Sequence, residues 1–359
     1  MPWPDRRLLD LVGIAYPIVL APMVGTEAAL TACVAGAGGL GSLACAALTA
    51  ERVRAAVATI RDSADGPINL NFFCHVPPAE DAPRDARWLA RLAPYYAEHG
   101  LDPAAATPMA KRAPFDEAMC AVVEELRPKV VSFHFGLPNA ALRERVRAAG
   151  CLIFASATTV AEARWLHAQG VDAVIAQGAE AGGHRGMFLP GELAAQPGLF
   201  ALLPQVVDAV KVPVIAAGGI ADGRGVAAAF ALGAAGVQIG TAYLRCPEAG
   251  ISEAHVAALR AARDEDTAIT NVFTGRPARS LFNRAMRDLG PLCDDAPAFP
   301  KAAVALQSLR VTAERQGSGD FSPLWAGQAA ALSRDLGAAE LTRLIAEEAA
   351  QRLAQIGDR

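Results

Sequence analysis

Three histidines and a few glycine-bearing turns are the residues of this chain best suited to chemistry. His184 stands in "AEAGGHRG", with glycines on both sides. An unperturbed imidazole titrates near pH ~6.5, so a histidine on a flexible loop can act as a base near neutrality. Such proton transfer contributes typically ~10²–10⁴ in rate. His134 in "SFHFG" is a second candidate, and it suits a hydrogen-bonded structural histidine equally well. His75, after "NLNFFC", can line the same mouth. No Asp or Glu accompanies these histidines at ligand spacing, so no metal site is expected. Cys246 has no obvious activating neighbour, and no nucleophile triad stands out.

Two further stretches have the chemistry of an anion cradle. "VIAAGGIADGRG" places Gly218 and Gly219 after an apolar run, followed by Asp222 as the N-cap of the next helix. "VQIGTAYL" places Gln238, Ile239, Gly240 and Thr241 at the start of a short helical segment. Glycine lets backbone N–H groups approach an anion closely. Aligned N–H groups at a helix start favour negative charge by about 0.3–1 kcal/mol. Together the two turns predict a phosphate site. The cation nearest in sequence is Arg224, so the backbone is expected to carry most of the binding, as suits a mononucleotide cofactor.

A third glycine cluster carries a different meaning. "AGAGGLGS" contains G-x-G-x-x-G at Gly36, Gly38 and Gly41. A dinucleotide fingerprint needs a strand before the glycines and a helix after them. Here Leu30, Val34 and Ala37 precede at helical spacing, and the apolar "GLGSLAC" follows. These glycines are expected to end a helix and begin a strand.

The elements that must position these groups follow from periodicity. Short, nearly continuous apolar runs at 17–21, 39–43, 68–72, 131–134, 152–156, 173–177, 213–217 and 236–240 suit strands buried on both faces. Helical patterns at 26–36, 49–62, 114–127, 138–149, 159–169, 199–210 and 222–233 fall between them. The alternation predicts an α/β protein, a (β/α)8 TIM barrel, with an added smaller, mostly helical region over the barrel mouth. Barrel active sites form at the C-terminal ends of the strands. Pro22, Met23, Asn69, Asn71, His134, Ser156, Gln177, Gly218, Gly219, Gln238, Gly240 and Thr241 all fall there, and Gln177 opens the loop carrying Glu180, Gly182, Gly183 and His184. Such clustering at one rim is not what scattered core polar residues would produce.

The expected organisation is a barrel over 1–244 with an insertion at about 73–113, a capping region at 245–320, and two C-terminal helices in 321–359 that return to the barrel. The insertion holds a helical pattern at "DARWLARLAPYYAEH".

Of the 359 residues 53% are hydrophobic, enough for a sizeable core, and the formal charge is −4. No basic stripe suggests nucleic acid, and no apolar run reaches membrane-spanning length. The seven scattered cysteines, odd in number and without C-x-x-C, predict a reduced, cytoplasmic protein. The N-terminal "MPWPDRRLLDLVGIAYP" lacks the apolar stretch of a signal peptide.

Several stretches together resemble one family. "LAPMVG", "INLNFFCH", "VVSFHFGLP", "AQGAEAGGHRG", "VIAAGGIADGRGVAAAFALGAAGVQIGTAYL" and "TNVFTGRPAR" are similar to the nitronate monooxygenases, formerly called 2-nitropropane dioxygenases. "SFHFG" and "NLNFFCH" point to the class I branch. The resemblance runs from about residue 13 to "FSPLWAGQ". It implies a barrel holding FMN non-covalently and oxidising alkyl nitronates, such as propionate 3-nitronate, with O2. One electron at a time passes through the flavin, and the products are a carbonyl compound and nitrite. It implies that Pro22 and Met23 lie along the flavin, and that Asn69, Gln177, Gly182, Gly219, Gln238, Ile239, Gly240 and Thr241 bind it. His184 matches the catalytic histidine and His134 a substrate-pocket one. The family places tyrosines in the C-terminal part of the pocket, whereas this chain has four tyrosines in all. Partners are expected to be the small-molecule nitronate and O2, with no nucleic acid and no membrane, in a monomer or homodimer. Two other readings share these loops: an NAD(P)H-dependent quinone or enoyl-thioester reductase on the same FMN barrel, and a flavin-binding protein without chemistry of its own.

Overall fold

The computed structural model describes residues 3–105 and 112–357. Residues 106–111 of the expected excursion, and the chain's first and last two residues, lie outside the described residues.

Chain order gives β1 (Ile18–Leu20), β2 (Gly41–Ala44), β3 (Ile68–Phe73), β4 (Val130–His134), β5 (Leu152–Ala157), β6 (Ala173–Gln177), β7 (Gly183–His184), β8 (Val214–Ala217), β9 (Gly236–Ile239), β10 (Thr267–Thr270) and β11 (Ala278–Leu281). Eight of them form one parallel sheet in the order β1-β9-β8-β6-β5-β4-β3-β2. Leu40 closes it: its N–H donates to the Ile18 carbonyl and its carbonyl accepts from Leu20 N, each at 2.9 Å. The result is the (β/α)8 barrel, each stave falling on one of the apolar runs. Val130, Val131 and Phe133 on β4 are all fully buried, as a stave between a helical layer and a packed interior must be.

"AGAGGLGS" takes the reversed order. Helix Ala28–Gly36 ends there, Gly38 turns the chain at φ +100°, and β2 begins at Gly41. A Cβ on Gly41 would lie 2.3 Å from the Thr31 carbonyl oxygen, so this glycine serves close helix–strand packing.

Helix Ala82–Glu98, from the excursion after β3, packs on helix Ala302–Arg315. Trp88, Leu92, Tyr96, Leu306, Leu309 and Phe321 form a second apolar core there. Trp88 Nε1 donates to the Ala302 carbonyl across it (3.2 Å). In the same region, expected to be mostly helical, β10 and β11 pair with each other and with β7 from the barrel loop in a small antiparallel sheet. Periodicity could not reveal it, because β7 is two residues long and its partner lies far along the chain. Past "FSPLWAGQ" the chain forms a short 3-10 turn and one long helix, Ala338–Gly357, instead of two helices. That helix crosses helix Gly223–Ala231, where a Cβ on Gly223 would meet Glu348 Cβ at 2.3 Å.

Candidate active site

A cavity at the C-terminal ends of the staves holds about 1450 Å³ of empty space, counted out to open solvent. Its walls come from nearly every stave. Pro22 and Met23 follow β1, Asn71 and Phe73 end β3, His134 ends β4, Ser156 lies on β5 and Gln177 ends β6. Gly182, Gly183 and His184 come from the next loop, Gly218 and Gly219 follow β8, and Gln238, Gly240 and Thr241 lie at the end of β9. Trp325, Gly327 and Arg112 complete it from outside the barrel.

His184 is not on a flexible loop. It pairs with Ala278 in the small sheet, and its Nε2 shares a 2.9 Å hydrogen bond with Thr274 Oγ1. Trp325 and Phe299 rings lie 5.3 Å from its ring, Phe135 at 5.9 Å and Phe73 at 6.1 Å. Its backbone carbonyl accepts from Gln177 Nε2 (2.9 Å) and His134 Nε2 (3.2 Å). With Nε2 donating, the neutral His134 ring accepts at Nδ1 from Ser156 Oγ (3.1 Å). Gln177 Oε1 accepts from Gly186 N (2.8 Å), so that amide holds the His184 segment from both ends.

Two buried arginines stiffen the same loop from behind. Arg185 donates to the Gly178 carbonyl (2.6 Å), the Gln177 carbonyl and Gln196 Oε1 (both 2.8 Å). Arg279 donates to the Ala179 carbonyl (2.9 Å) and to Thr267. Glu180 turns its carboxylate outward onto Leu199 N (2.8 Å), and its carbonyl accepts from Gln328 N (3.0 Å). Its negative charge is thereby kept out of the cavity.

Burial sets the protonation of the imidazoles. Desolvation, then the nearby Arg112, His134, Arg276 and His75, hold His184 well below the ordinary histidine value. Desolvation and then Arg276 push His134 down to about 3. Both rings are therefore neutral at pH 7. A base titrating near 6.5, expected from the bare sequence, is replaced by one whose protonated form is strongly disfavoured. Burial likewise raises the Cys246 thiol to about 12, which leaves it unreactive.

The glycine turns form a cradle. Gly218 and Gly219 take φ +121° and +68°. A Cβ on Gly218 would lie 3.1 Å from Ala181 N, and one on Gly240 would lie 3.3 Å from Met23 Sδ. Thr241 Oγ1 accepts from Gly327 N (2.9 Å), tying "WAGQ" to this end of the cavity. Asp222 caps the helix after β8, accepting from Arg224 N and Gly225 N, while Glu348 accepts from Gly223 N. That helix start is thus already satisfied by carboxylates. Arg224 pairs with Asp222 (2.6 Å) and is outside the cavity wall.

Three residues with expected site roles lie outside the wall. Asn69 shares a face of β3 with Asn71 but sits two residues, about 6–7 Å, deeper. It donates to Ser42 Oγ (3.0 Å), whereas Asn71 lines the cavity and donates to Ser132 Oγ (2.9 Å). Ile239 is fully buried, and its carbonyl accepts from Ala21 N. His75 packs edge-on against Phe299 at 4.8 Å behind the wall. Conversely, sequence reasoning gave no site role to Arg112, Phe73, Thr274, Trp325 or Gly327. Phe73 had a signal in its rim position beside Asn71 at the end of β3, while Arg112, Thr274, Trp325 and Gly327 are brought in by tertiary contacts alone.

The buried imidazoles predict acid sensitivity. Desolvation holds His255 at about 4; its Nε2 donates to the Trp325 carbonyl (3.2 Å) and so helps place that ring. In the unfolded chain these histidines take up protons near pH ~6.5. Below that pH the unfolded state binds more protons, so stability is complete above 6.5 and falls as the pH falls. The loss approaches about 1.4 kcal/mol per pH unit for each histidine until its folded value is reached. The melting temperature is expected to drop between pH 7 and 5, with a shallower drop in His255→Gln. An unchanged slope in that variant would show that His255 titrates normally in the folded state.

A parallel eight-stranded barrel whose mouth joins a glycine cradle to buried, oriented imidazoles is the architecture of a cofactor-using barrel enzyme. The family model described as nitronate monooxygenase matches residues 5–348. Nitronate monooxygenase of Paraburkholderia phytofirmans is 43% identical over 98% of this chain and 97% of its own length. That of Pseudomonas aeruginosa is 43% identical over 95% and 98%. Among solved structures, nitroalkane oxidase from Streptomyces ansochromogenes superposes with a TM-score of 0.88 at 38% identity, covering 98% of this chain and 99% of that one. FabK from Thermotoga maritima superposes at 0.73 with 27% identity, covering 98% of each chain. The chain belongs to the nitronate monooxygenase family and is an oxidoreductase. Among its described residues, no helix is long and apolar enough to cross a membrane.

Proposed function

We propose that this enzyme oxidises alkyl nitronates with O2, giving a carbonyl compound and nitrite, with FMN held at the barrel mouth. The residues present fit that cofactor. Gln238 Oε1 is buried with no partner among the described residues, an acceptor that a bound group's N–H would satisfy. The turns at Gly218, Gly219 and Gly240 leave a cradle that side chains would crowd. Pro22, Met23, Asn71, Gln177 and Gly182 would flank the ring and ribityl chain. When bound, FMN supplies the one-electron acceptor between the nitronate and O2.

The protein's own part is orientation and electrostatics. The observation that carries this reading is a neutral His184 facing a cavity whose described wall holds an arginine and no carboxylate. Removing a proton from a neutral nitroalkane would create an imidazolium next to Arg112 and Arg276, in a buried site. A substrate that arrives already ionised avoids that step and is attracted by the positive field. His184 then orients the nitronate by hydrogen bonding, and the surrounding rings exclude water.

The expected result is a yellow protein that releases FMN on heating and consumes O2 with propionate 3-nitronate, while NADH and NADPH bleach it only slowly without oxygen. Fast bleaching by either nucleotide, or no oxygen uptake with any alkyl nitronate, would overturn the reading.

A further inference from the structure

We propose that Thr274 is a positioning residue: its hydroxyl donates to His184 Nε2, which places the ring's single proton on Nδ1, the nitrogen left to hydrogen-bond an oxygen of the nitronate. The inference rests on the nitronate reading and deepens it, because it fixes which ring nitrogen meets the substrate and in which role.

A neutral imidazole carries one N–H and one bare nitrogen, and the partner of one nitrogen decides the state of the other. Burial keeps the His184 ring neutral. Nε2 and Thr274 Oγ1 lie 2.9 Å apart, and either atom can donate across that distance. The two alternatives differ in the fate of the hydroxyl proton. Thr274 is buried, and its other acceptor among the described residues, the Arg276 carbonyl, is 3.5 Å away. Good O–H···O bonds span about 2.5–3.0 Å. A proton on Nε2 would leave the hydroxyl only that long contact, and a buried donor without a good acceptor is costly. With Oγ1 donating to Nε2, the short bond uses the hydroxyl proton and Nδ1 keeps the ring's own. His184 lines the cavity, and its Nδ1 has no hydrogen-bond partner among the described residues. An N–H there complements an anionic oxygen, whereas a bare nitrogen would repel it.

Local structure holds the hydroxyl in place. Thr274 leads into a tight turn, in which Gly275 takes φ +84° and a Cβ would lie 1.8 Å from the Pro297 carbonyl oxygen. Asn271 exchanges two 2.9 Å hydrogen bonds with the Cys293 backbone, and its carbonyl accepts from Gly275 N (2.7 Å). On the other side of the turn, the Pro277 carbonyl accepts from Arg185 N (2.9 Å), next to His184 itself. The β-branched side chain adds a stiff χ1. None of these braces uses the hydroxyl, so removing it leaves the turn in place.

The test reads the tautomer directly, by nitrogen NMR of the flavin-loaded enzyme isotopically labelled at histidine, with His184 assigned by its loss in His184→Asn. The wild type is expected to show a protonated Nδ1 and a bare Nε2. Thr274→Val, of similar shape without the donor, is expected to mix the two tautomers. Its kcat/KM for propionate 3-nitronate is expected to fall roughly 10- to 100-fold, the scale of a hydrogen bond to a charged group, at unchanged flavin content. Thr274→Ser keeps the hydroxyl and is expected to restore the single tautomer and most of the turnover. A wild-type ring protonated at Nε2 would overturn the proposal without recourse to any Thr274 variant. Undiminished turnover in Thr274→Val, or a Thr274→Ser enzyme as slow as Thr274→Val, would overturn it as well. Failure of the wild type with every alkyl nitronate would instead overturn the nitronate reading, with the tautomer still legible in the spectrum.

Discussion

Replacing His184 by asparagine is expected to lower kcat/KM for an alkyl nitronate roughly 10²- to 10³-fold, the scale of losing one preorganised hydrogen-bond donor at the reacting group. The prediction is sharp because the variant leaves the rest of the site in place. The backbone of residue 184 is held by Gln177, by His134 and by pairing with Ala278, none of which uses the imidazole. The glycine cradle lies on other staves. Flavin content should therefore stay near that of the wild type while turnover collapses. What is lost is a ring fixed by Thr274 on one side and by Trp325 and Phe299 on the others. Asparagine can keep one hydrogen bond but cannot fill that box. Oxygen uptake together with the ratio of flavin to protein absorbance decides the matter. Undiminished turnover would remove the residue from the chemistry.

The second large effect is expected at Gly182, and it falls on the cofactor. A Cβ there would lie 2.6 Å from Gly327 N and 2.7 Å from the Ala326 carbonyl carbon, both backbone atoms that cannot swing aside. Gly182→Ala must push the "WAGQ" segment outward, along with its hydrogen bonds from Gly327 N to Thr241 and from Gln328 N to Glu180. Overpacking of this kind costs about 1–3 kcal/mol, so FMN should bind roughly 5- to 150-fold more weakly. Gly191, whose Cβ position is open space at an ordinary φ, is the matched control. Titration of flavin into apoprotein, followed by fluorescence quenching, reads both variants. Equal affinity in Gly182→Ala and wild type would place the cofactor away from this seam.

The local devices of this chain are those where neighbours in sequence decide the physics. A stave buried on both faces must be apolar almost throughout, which is why runs such as "AVIAQ" and "PVIAA" stand out without any partner in view. Asp222 caps its helix through N–H groups two and three residues on, so its role was visible in the sequence. The glycines of "AGAGGLGS" declared themselves by the order of helix and strand around them. The rim position of His184, Gly218, Gly219 and Gly240 follows from strand order alone, since every stave of a barrel ends at the same mouth.

Tertiary structure decided the remainder, because it depends on depth and on contacts between distant segments. Asn69 and Asn71 have the same period-2 phase, and how deep the cavity reaches along β3, which excludes Asn69 and admits Asn71, is set by the closed barrel. Thr274 meets His184 from 90 residues away, and Gly327 meets Thr241 from 86. Arg112 enters the wall from a segment with no periodic pattern pointing there. The charge state of His184 is the clearest case. Its sequence neighbours are glycines and an arginine turned away from it, whereas the rings and cations that keep it neutral arrive from six other parts of the chain. Residue type and strand order therefore determined where chemistry can occur, while desolvation by distant side chains determined the protonation state in which it operates.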